Sequence, residues 1–394
     1  MSSGEHWDNP KMIKTVLLDL DDTLILNPNQ GFVPRYLQSV DDFFMRRWGQ
    51  SISKTLVESV RTMSQVRDMQ QNNLQLATTL LQRATDQSEA DIHAALHEFY
   101  TTAYPELQDC TQPVEGAPEL VKALKERGYG VVIATNPIYP SGAIQQRLLW
   151  AGLSVNFDDY AFVTCADNMH FAKPHPAYYA EILGRVGIEP DEAIMIGDSI
   201  RNDIEPAALI GLHTQYIKPG NVGDFQTQLL ELDILIPPVI TPESVIYQWQ
   251  GNLGALFGII DTIKPHYWNQ HPDPEEWSPL QIVCHLLERE PTVHRQRLER
   301  ILAENNPFIT DLGLPPGPRE AIPCDTDGYH AAEHFLQERL LTIALVEKLT
   351  AEEWMRPARH SIFGPTTLLE MALFTAQHDR LHLKQLCQTT GKCT

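Results

Sequence analysis

In the run Thr15-Val16-Leu17-Leu18-Asp19-Leu20-Asp21-Asp22-Thr23, an apolar strand delivers two carboxylates, Asp19 and Asp21, from its carboxyl end. Alternate residues of an extended strand share one face, so the pair can converge on one metal ion and one phosphate. Three later segments supply the rest of a phosphoryl-transfer site. Thr135 and Asn136 close the strand Val131-Val132-Ile133-Ala134, Lys173 sits in Phe171-Ala172-Lys173-Pro174, and Asp198 and Asp203 follow Ile194-Met195-Ile196. Nucleophile, acid/base, phosphate clamp and metal cage are then all present. Taken singly, each has a plain structural reading: a strand-end cap, a solvated lysine, an acidic turn. Asp22 is read as local structure only. The joint occurrence near successive strand ends is what points to chemistry.

Those positions require a parallel sheet. Beyond Glu115, short apolar strands at Gly130 to Thr135, Tyr160 to Thr164, Ala193 to Gly197 and His213 to Ile217 alternate with helical stretches, the pattern of an α/β fold with helices on both faces. From Gly31 to about Leu107 the pattern is helical instead, with stripes such as Tyr36, Val40, Phe43 and Phe44, then Ile92, Leu96 and Phe99, and a capping signal at Ser88 and Asp91. This block is read as an insertion lying over the strands' carboxyl ends, where a lid belongs. Its arginines, Arg35, Arg46, Arg47, Arg61 and Arg67, could meet an anionic substrate or form a solvated helix face.

These four ordered motifs resemble the haloacid dehalogenase-like superfamily, in its phosphatase branch with an inserted helical cap, over about residues 12 to 222. The resemblance implies that Asp19 attacks phosphorus to form an aspartyl-phosphate and that Asp21 is the general acid/base. Thr135 and Lys173 would hold phosphate oxygens, with Asn136 beside them. Mg²⁺ would be held by Asp19, the backbone carbonyl of Asp21, and Asp198, with Asp203 in support; hard oxygens suit that ion. Asp21 and Asp198 argue for a phosphatase over a dehalogenase. A lid of this size favours small phosphomonoesters, such as sugar, nucleotide or organic-acid phosphates, over phosphoprotein.

A second change of composition falls at Leu235-Ile236-Pro237-Pro238-Val239-Ile240-Thr241-Pro242, where three prolines favour an extended linker. Afterwards the chain reads as four helices with no strand signal, about Pro242 to Lys264, Ser278 to Asn305, Gly328 to Leu349 and Thr367 to Gln388, which suggests a bundle. Nine of the fifteen histidines lie here, so this half needs its own explanation. His378 and His382 are four apart on one helix face, and an antiparallel helix could bring His285 opposite them. The Trp277-Ser278…His285 start and the His378-Asp379-Arg380-Leu381-His382…Gln385-Leu386 end resemble the DinB-like four-helix family over about Thr241 to Gln388. By that resemblance the three histidines ligate Zn²⁺ or Ni²⁺, both of which suit imidazole. His330, His334 and His360 are read as ordinary histidines, and Cys284 as core.

The expected organisation is a hydrolase domain over 1–234 (core about 12–30 and 108–222, cap about 31–107), a linker over 235–242 and a metal-binding bundle over 243–394. Its fold class is α/β plus all-α: a Rossmann-like parallel sheet core with a helical cap, followed by a four-helix bundle. The leading reading makes the bundle an accessory, so that a chain ending at residue 234 keeps its turnover. Alternatives make the bundle a second enzyme, a metal-dependent thiol transferase or hydrolase acting with a thiol compound, or a module for homodimerisation or metal sensing. The chain has 394 residues and a formal net charge of −21. That charge, without a basic run, speaks against nucleic acid and anionic membranes as partners. Six scattered cysteines read as reduced thiols. With no signal-like amino terminus and no stretch long enough to span a bilayer, the protein is read as soluble and cytoplasmic.

Overall fold

A computed structural model describes residues 12–28, 31–65, 69–223, 240–273, 276–310 and 327–391. Strand β1 (Thr15–Leu18) is buried at every position, as a strand covered on both faces must be. A tight turn, with Asp22 at φ 59°, leads to the short strand β2 (Ile25–Leu26). The cap follows as four helices, α1 (Phe32–Trp48), α2 (Ser53–Met63), α3 (Asn73–Thr85) and α4 (Glu89–Thr102). The expected stripes meet: the rings of Tyr36 and Phe99 pack edge to face at 6.0 Å. Ser88 caps α4 by accepting from the Asp91 N–H. Strand β3 (Gln112–Pro113) returns to pair with β2 and closes the base of the cap.

The chain then alternates: α5 (Ala117–Glu126), β4 (Gly130–Ile133), α6 (Ser141–Trp150), β5 (Phe162–Val163), α7 (Ala177–Val186), β6 (Ala193–Gly197), α8 (Glu205–Leu209) and β7 (His213–Tyr216). The sheet order is β5-β4-β1-β6-β7, with every pairing parallel. Leu18 stands level with Ile133 on one side and Ile196 on the other. Asp19, Thr135 and Asp198 therefore all leave the sheet at one end.

In the second half, α9 (Pro242–Ile260), which packs on α7, is followed by a long helix made of α10 (Pro279–Arg289), a π-helical turn (Glu290–His294) and α11 (Arg295–Ala303). Helix α12 (Gly328–Val346), the short α13 (Ala351–Trp354) and α14 (Leu368–Thr389) complete it. Four long helices agree with expectation, but the all-helical reading needs correction. Strands β8 (Phe308–Ile309), β9 (Pro357–His360) and β10 (Gly364–Thr367) form a small sheet in the order β10-β9-β8. Runs this short show no alternation for a sequence to reveal. Of the expected linker, 235–239 lie outside the described residues, and Thr241 and Pro242 already cap and open α9. Cys110, Cys165 and Cys387 are free thiols, whereas the buried Cys284 is disulfide-bonded, against the expectation of reduced cysteines throughout.

The two halves share one core. Leu17, Val132 and Met195 of the sheet, Tyr178 and Ile182 of α7, and Leu253 and Phe257 of α9 belong to a single buried apolar cluster. A Cβ added to Gly251 of α9 would lie 2.4 Å from the Ala180 Cβ and 2.7 Å from the Ala177 carbonyl, so only glycine permits the helices to come this close. At the edge Arg380 of α14 donates to Glu189 and to Gln248.

Inside the bundle, the fully buried Arg339 donates to Asp379 at 2.5 and 3.1 Å and to Glu290 at 2.6 Å. The two carboxylates hold its guanidinium charged against the burial that opposes it. Replacing Arg339 by Leu leaves both without their cation, and the expected cost is about 3–5 kcal/mol of folding stability, read by urea denaturation. A loss under about 1 kcal/mol would show that the network is not needed.

Candidate active site and metal centre

Lys173 lies at the centre of the strand-end site. Its Nζ donates to Asp19 Oδ1 at 2.7 Å and to Asp203 Oδ1 at 2.6 Å, and all three side chains are buried. Burial opposes the ammonium, but the two carboxylates outweigh it and raise the Lys173 pKa well above the ordinary value. Three acids surround that ammonium. Desolvation, with Asp203 and Asp198 adding, pushes Asp19 up to about 7. Asp198 is raised to about 6 by burial and by the charges of Asp203 and Asp22.

Carboxylate oxygens of Asp19, Asp198 and Asp203 lie within 4.8 Å of one another, a spacing that one cation could bridge. Asp203 is set on a π-helical turn (Ile200–Ile204), where its carboxylate accepts from the Ser199 N–H at 2.9 Å. A Cβ on Gly197 would lie 2.4 Å from the Asp203 carboxylate, so glycine is required at the end of β6. Hard oxygen donors on three acids, with Asn136 Oδ1 buried beside the loop and without a protein partner, fit a Mg²⁺-type ion.

Asp21 is placed apart from that cluster. Its carboxylate accepts from Asn27 Nδ2 at 3.0 Å and pairs with Arg147 of α6, which also donates to Asn27. Arg147 is fully buried, and its charge stacks over the Phe32 ring at 4.3 Å. Thr135 is buried beyond β4, its carbonyl held by Tyr178 Oη at 2.7 Å and Thr164 Oγ1 at 2.8 Å. Asp22 accepts from the Asn27 N–H and serves the turn.

Sequence reasoning missed Asn27 and Arg147, and it missed how the loops are held. Glu181 of α7, wholly buried, accepts from the N–H groups of His170 and Phe171 and so fixes the approach to Lys173. Asn73, the first residue of α3, donates through its side chain to the carbonyls of Pro137 and Phe171 at 3.1 and 3.3 Å. One buried amide thus ties the cap to both the Asn136 loop and the Lys173 loop. Arg147 could have been noticed as a lone cation among the apolar residues of α6. Asn73 gives no such signal.

In the bundle, ring nitrogens of His285, His378 and His382 also lie within 4.8 Å of one another. His285 Nε2 and His378 Nε2 are 3.3 Å apart, and His382 Nδ1 donates to Gln385 Oε1 at 3.0 Å, which leaves Nε2 for a ligand. Burial, with neighbouring cationic or imidazole groups for the first two, lowers His285 to about 3, His378 well below its ordinary value, and His382 likewise downward. Neutral imidazoles with convergent nitrogens are a donor set for a borderline metal. Trp277 stacks on His382 at 5.8 Å. His294, unnoticed in the sequence, packs its ring 4.6 Å from that of His378 and meets Thr375 Oγ1 at 3.2 Å.

A parallel sheet with carboxylates and a lysine at its carboxyl end, roofed by an inserted cap, defines an α/β hydrolytic enzyme. The chain belongs to the haloacid dehalogenase-like hydrolase family, which matches residues 13–211, and continues into a DinB superfamily domain over 248–386. Among its curated relatives is a glyceraldehyde 3-phosphate phosphatase of Pyrococcus furiosus, 25% identical over 225 residues, covering 56% of this chain and 87% of that protein. Another is the pyrophosphatase PpaX of Halalkalibacterium halodurans, 25% identical over 224 residues, covering 57% and 92%. Similar solved structures include a HAD phosphatase from Thermococcus onnurineus, at 21% identity and TM-score 0.34 over 52% of this chain and 86% of that one. For the second half there is YfiT from Bacillus subtilis, at 15% identity and TM-score 0.34 over 40% of this chain and 93% of that one. No helix among the described residues is long and apolar enough to cross a membrane.

Proposed function

We propose that the chain is a Mg²⁺-dependent phosphatase of small phosphomonoesters with a metal-binding bundle attached. The observation that carries this reading is the Asp19–Lys173–Asp203 cluster at the strand ends, with Asp198 in reach and Asp21 held separately. Asp19 is the nucleophile: Lys173 engages its Oδ1, which leaves Oδ2 to attack phosphorus and form an aspartyl-phosphate. Asp21, steadied by Asn27 and Arg147, gives a proton to the departing alkoxide and then takes one from the water that opens the acyl-phosphate. Thr135 and Asn136, with Lys173, bind the transferring group. Mg²⁺ held by Asp19, Asp198, Asp203 and the Asp21 carbonyl would neutralise phosphate charge.

The test is hydrolysis of a panel of small phosphomonoesters by the intact protein before and after removal and return of Mg²⁺. Turnover lost with the cation and regained with it is expected; its absence in folded, Mg²⁺-loaded protein sinks the reading. Mg²⁺ affinity should also depend on pH in a definite direction. Asp19 and Asp198, raised to about 7 and about 6, must lose protons to bind a cation, so affinity rises as pH climbs through that interval. Calorimetric titration at pH 5.5 and 7.5 should differ by roughly tenfold or more. Equal affinities would contradict the coupling.

For the bundle, the convergence of His285, His378 and His382 supports a bound Zn²⁺ or Ni²⁺. Elemental analysis of gel-filtered protein is expected to find that metal in the wild type and to lose it in His382→Ala. Retention in the variant would remove the assignment.

A further inference from the structure

A cavity of about 290 Å³ lies between the cap and the core. Its cap side is built from Leu56 and Val60 of α2, Leu74 and Ala77 of α3, and Leu96 of α4, with Val57 exposed at its rim. Its core side is Ile138, Tyr139 and Pro140, which Pro137 joins to Thr135 and Asn136. Two of its walls, Ala77 and Ile138, pack in one small cluster with Ala172, the neighbour of Lys173. The Asn73 amide, one residue before Leu74, fastens this side of the cavity to both catalytic loops. The cavity is therefore walled in part by the segment that follows Thr135 and Asn136, and it packs against the neighbour of Lys173.

Its chemistry is apolar. Tyr36 and Tyr100 satisfy each other, with their hydroxyls 2.9 Å apart, and Ser59 donates to the Leu56 carbonyl. No charged side chain among the described residues lines it. The arginines that might have greeted an anionic substrate are engaged elsewhere or exposed: Arg47 pairs with Glu98, Arg35 approaches Asp109, and Arg46 and Arg61 face solvent, while Arg67 lies outside the described residues. A dry apolar cavity of about 150 Å³ already accepts a benzene-sized guest. This one has room for a larger hydrocarbon group.

We propose that the cavity receives an uncharged hydrocarbon portion of the leaving alcohol, so that the preferred substrates are phosphomonoesters of apolar alcohols. The proposal rests on the phosphatase reading and narrows its substrate class. Each methylene moved from water into such a cavity contributes a near-constant increment, about three- to fourfold in kcat/KM. A series of n-alkyl monophosphates from ethyl to octyl holds the leaving-group chemistry fixed while varying only this term.

With the intact, Mg²⁺-loaded protein, kcat/KM is expected to climb by about that factor per methylene until the cavity is filled and then level off. Glycerol 3-phosphate should fall at least tenfold below propyl phosphate. Val57→Trp, a change at the exposed rim, should cut the octyl-to-ethyl ratio at least tenfold. Binding of the corresponding n-alkyl phosphonates, which are not hydrolysed, reads the cavity apart from catalysis and should show the same dependence on chain length. A flat series in both hydrolysis and phosphonate binding overturns the proposal and leaves the phosphatase reading standing. Graded phosphonate binding without turnover of any ester supports the cavity and strikes the phosphatase reading instead.

Discussion

Asp19→Asn is expected to lower Mg²⁺-dependent turnover by at least about 10⁴-fold, because it removes the proposed nucleophile and no other described carboxylate occupies its place at the end of β1. Its effect on stability should run the other way. In the native, cation-free protein Asp19 holds its proton up to about 7, mainly because of burial, whereas the unfolded chain releases it near the ordinary 3.8. A native pKa raised above the unfolded one means that stability is lost as pH rises from about 4 to about 7. The amide escapes that loss and can still accept from Lys173. Without cation, the variant should therefore melt above the wild type, by more at pH 7.5 than at pH 5. Thermal scans of both proteins in chelator test this. A variant that melts well below wild type at pH 7.5 would mean that the carboxylate is structural, and its inactivity would then say little about chemistry.

A chain ending at residue 234 is expected to be insoluble or aggregated, contrary to the sequence-based expectation that it keeps its turnover. All residues of α7 from Ala177 to Gly184 are buried, on the face toward the sheet and on the face toward α9 alike. Truncation strips α9 away and bares a surface that includes Ala177, Ala180 and Gly184, along with part of the core shared with Leu253 and Phe257. The damage extends to the site. Tyr178 holds the Thr135 carbonyl, Tyr179 holds that of Asn202, and Glu181 holds the loop before Lys173, all from this one helix. Size-exclusion chromatography and the phosphomonoester assay decide the matter. A monomeric truncated protein with near wild-type turnover would show that α7 stands without its cover.

The strand ends were legible because phosphoryl chemistry needs particular residue types, and burial on both faces leaves a run such as Val16 to Leu18 no polar position. The histidine triad was legible through four-residue spacing on one helix. The union of the halves was not, because a proline-rich run suggests separation whatever its neighbours do afterwards. One signal was available: α9 carries Glu243 as its sole charged residue over nineteen positions, more apolar than a helix with a free face should be. Arg147, Asn73 and Glu181 act through tertiary contacts with residues far away in the chain, and periodicity carries no information about such pairs. The small sheet of β8 to β10 was hidden by the brevity of its strands.

The placement of β1 also governs the order in which this molecule can assemble. It is the middle strand of the sheet, paired with β4, where Val16 stands level with Val131, and with β6, where Val16 stands level with Ile194. Ribosomal synthesis delivers it before the entire cap, and delivers only afterwards the two strands that flank it. The cap helices have partners close by in the chain and can form at once, whereas closing the distant strand pairs carries a loop-entropy cost that slows them. The insertion that follows β1 thus leaves that strand waiting for its neighbours while the cap is made. During that interval its apolar residues are the segment most in need of protection from other chains.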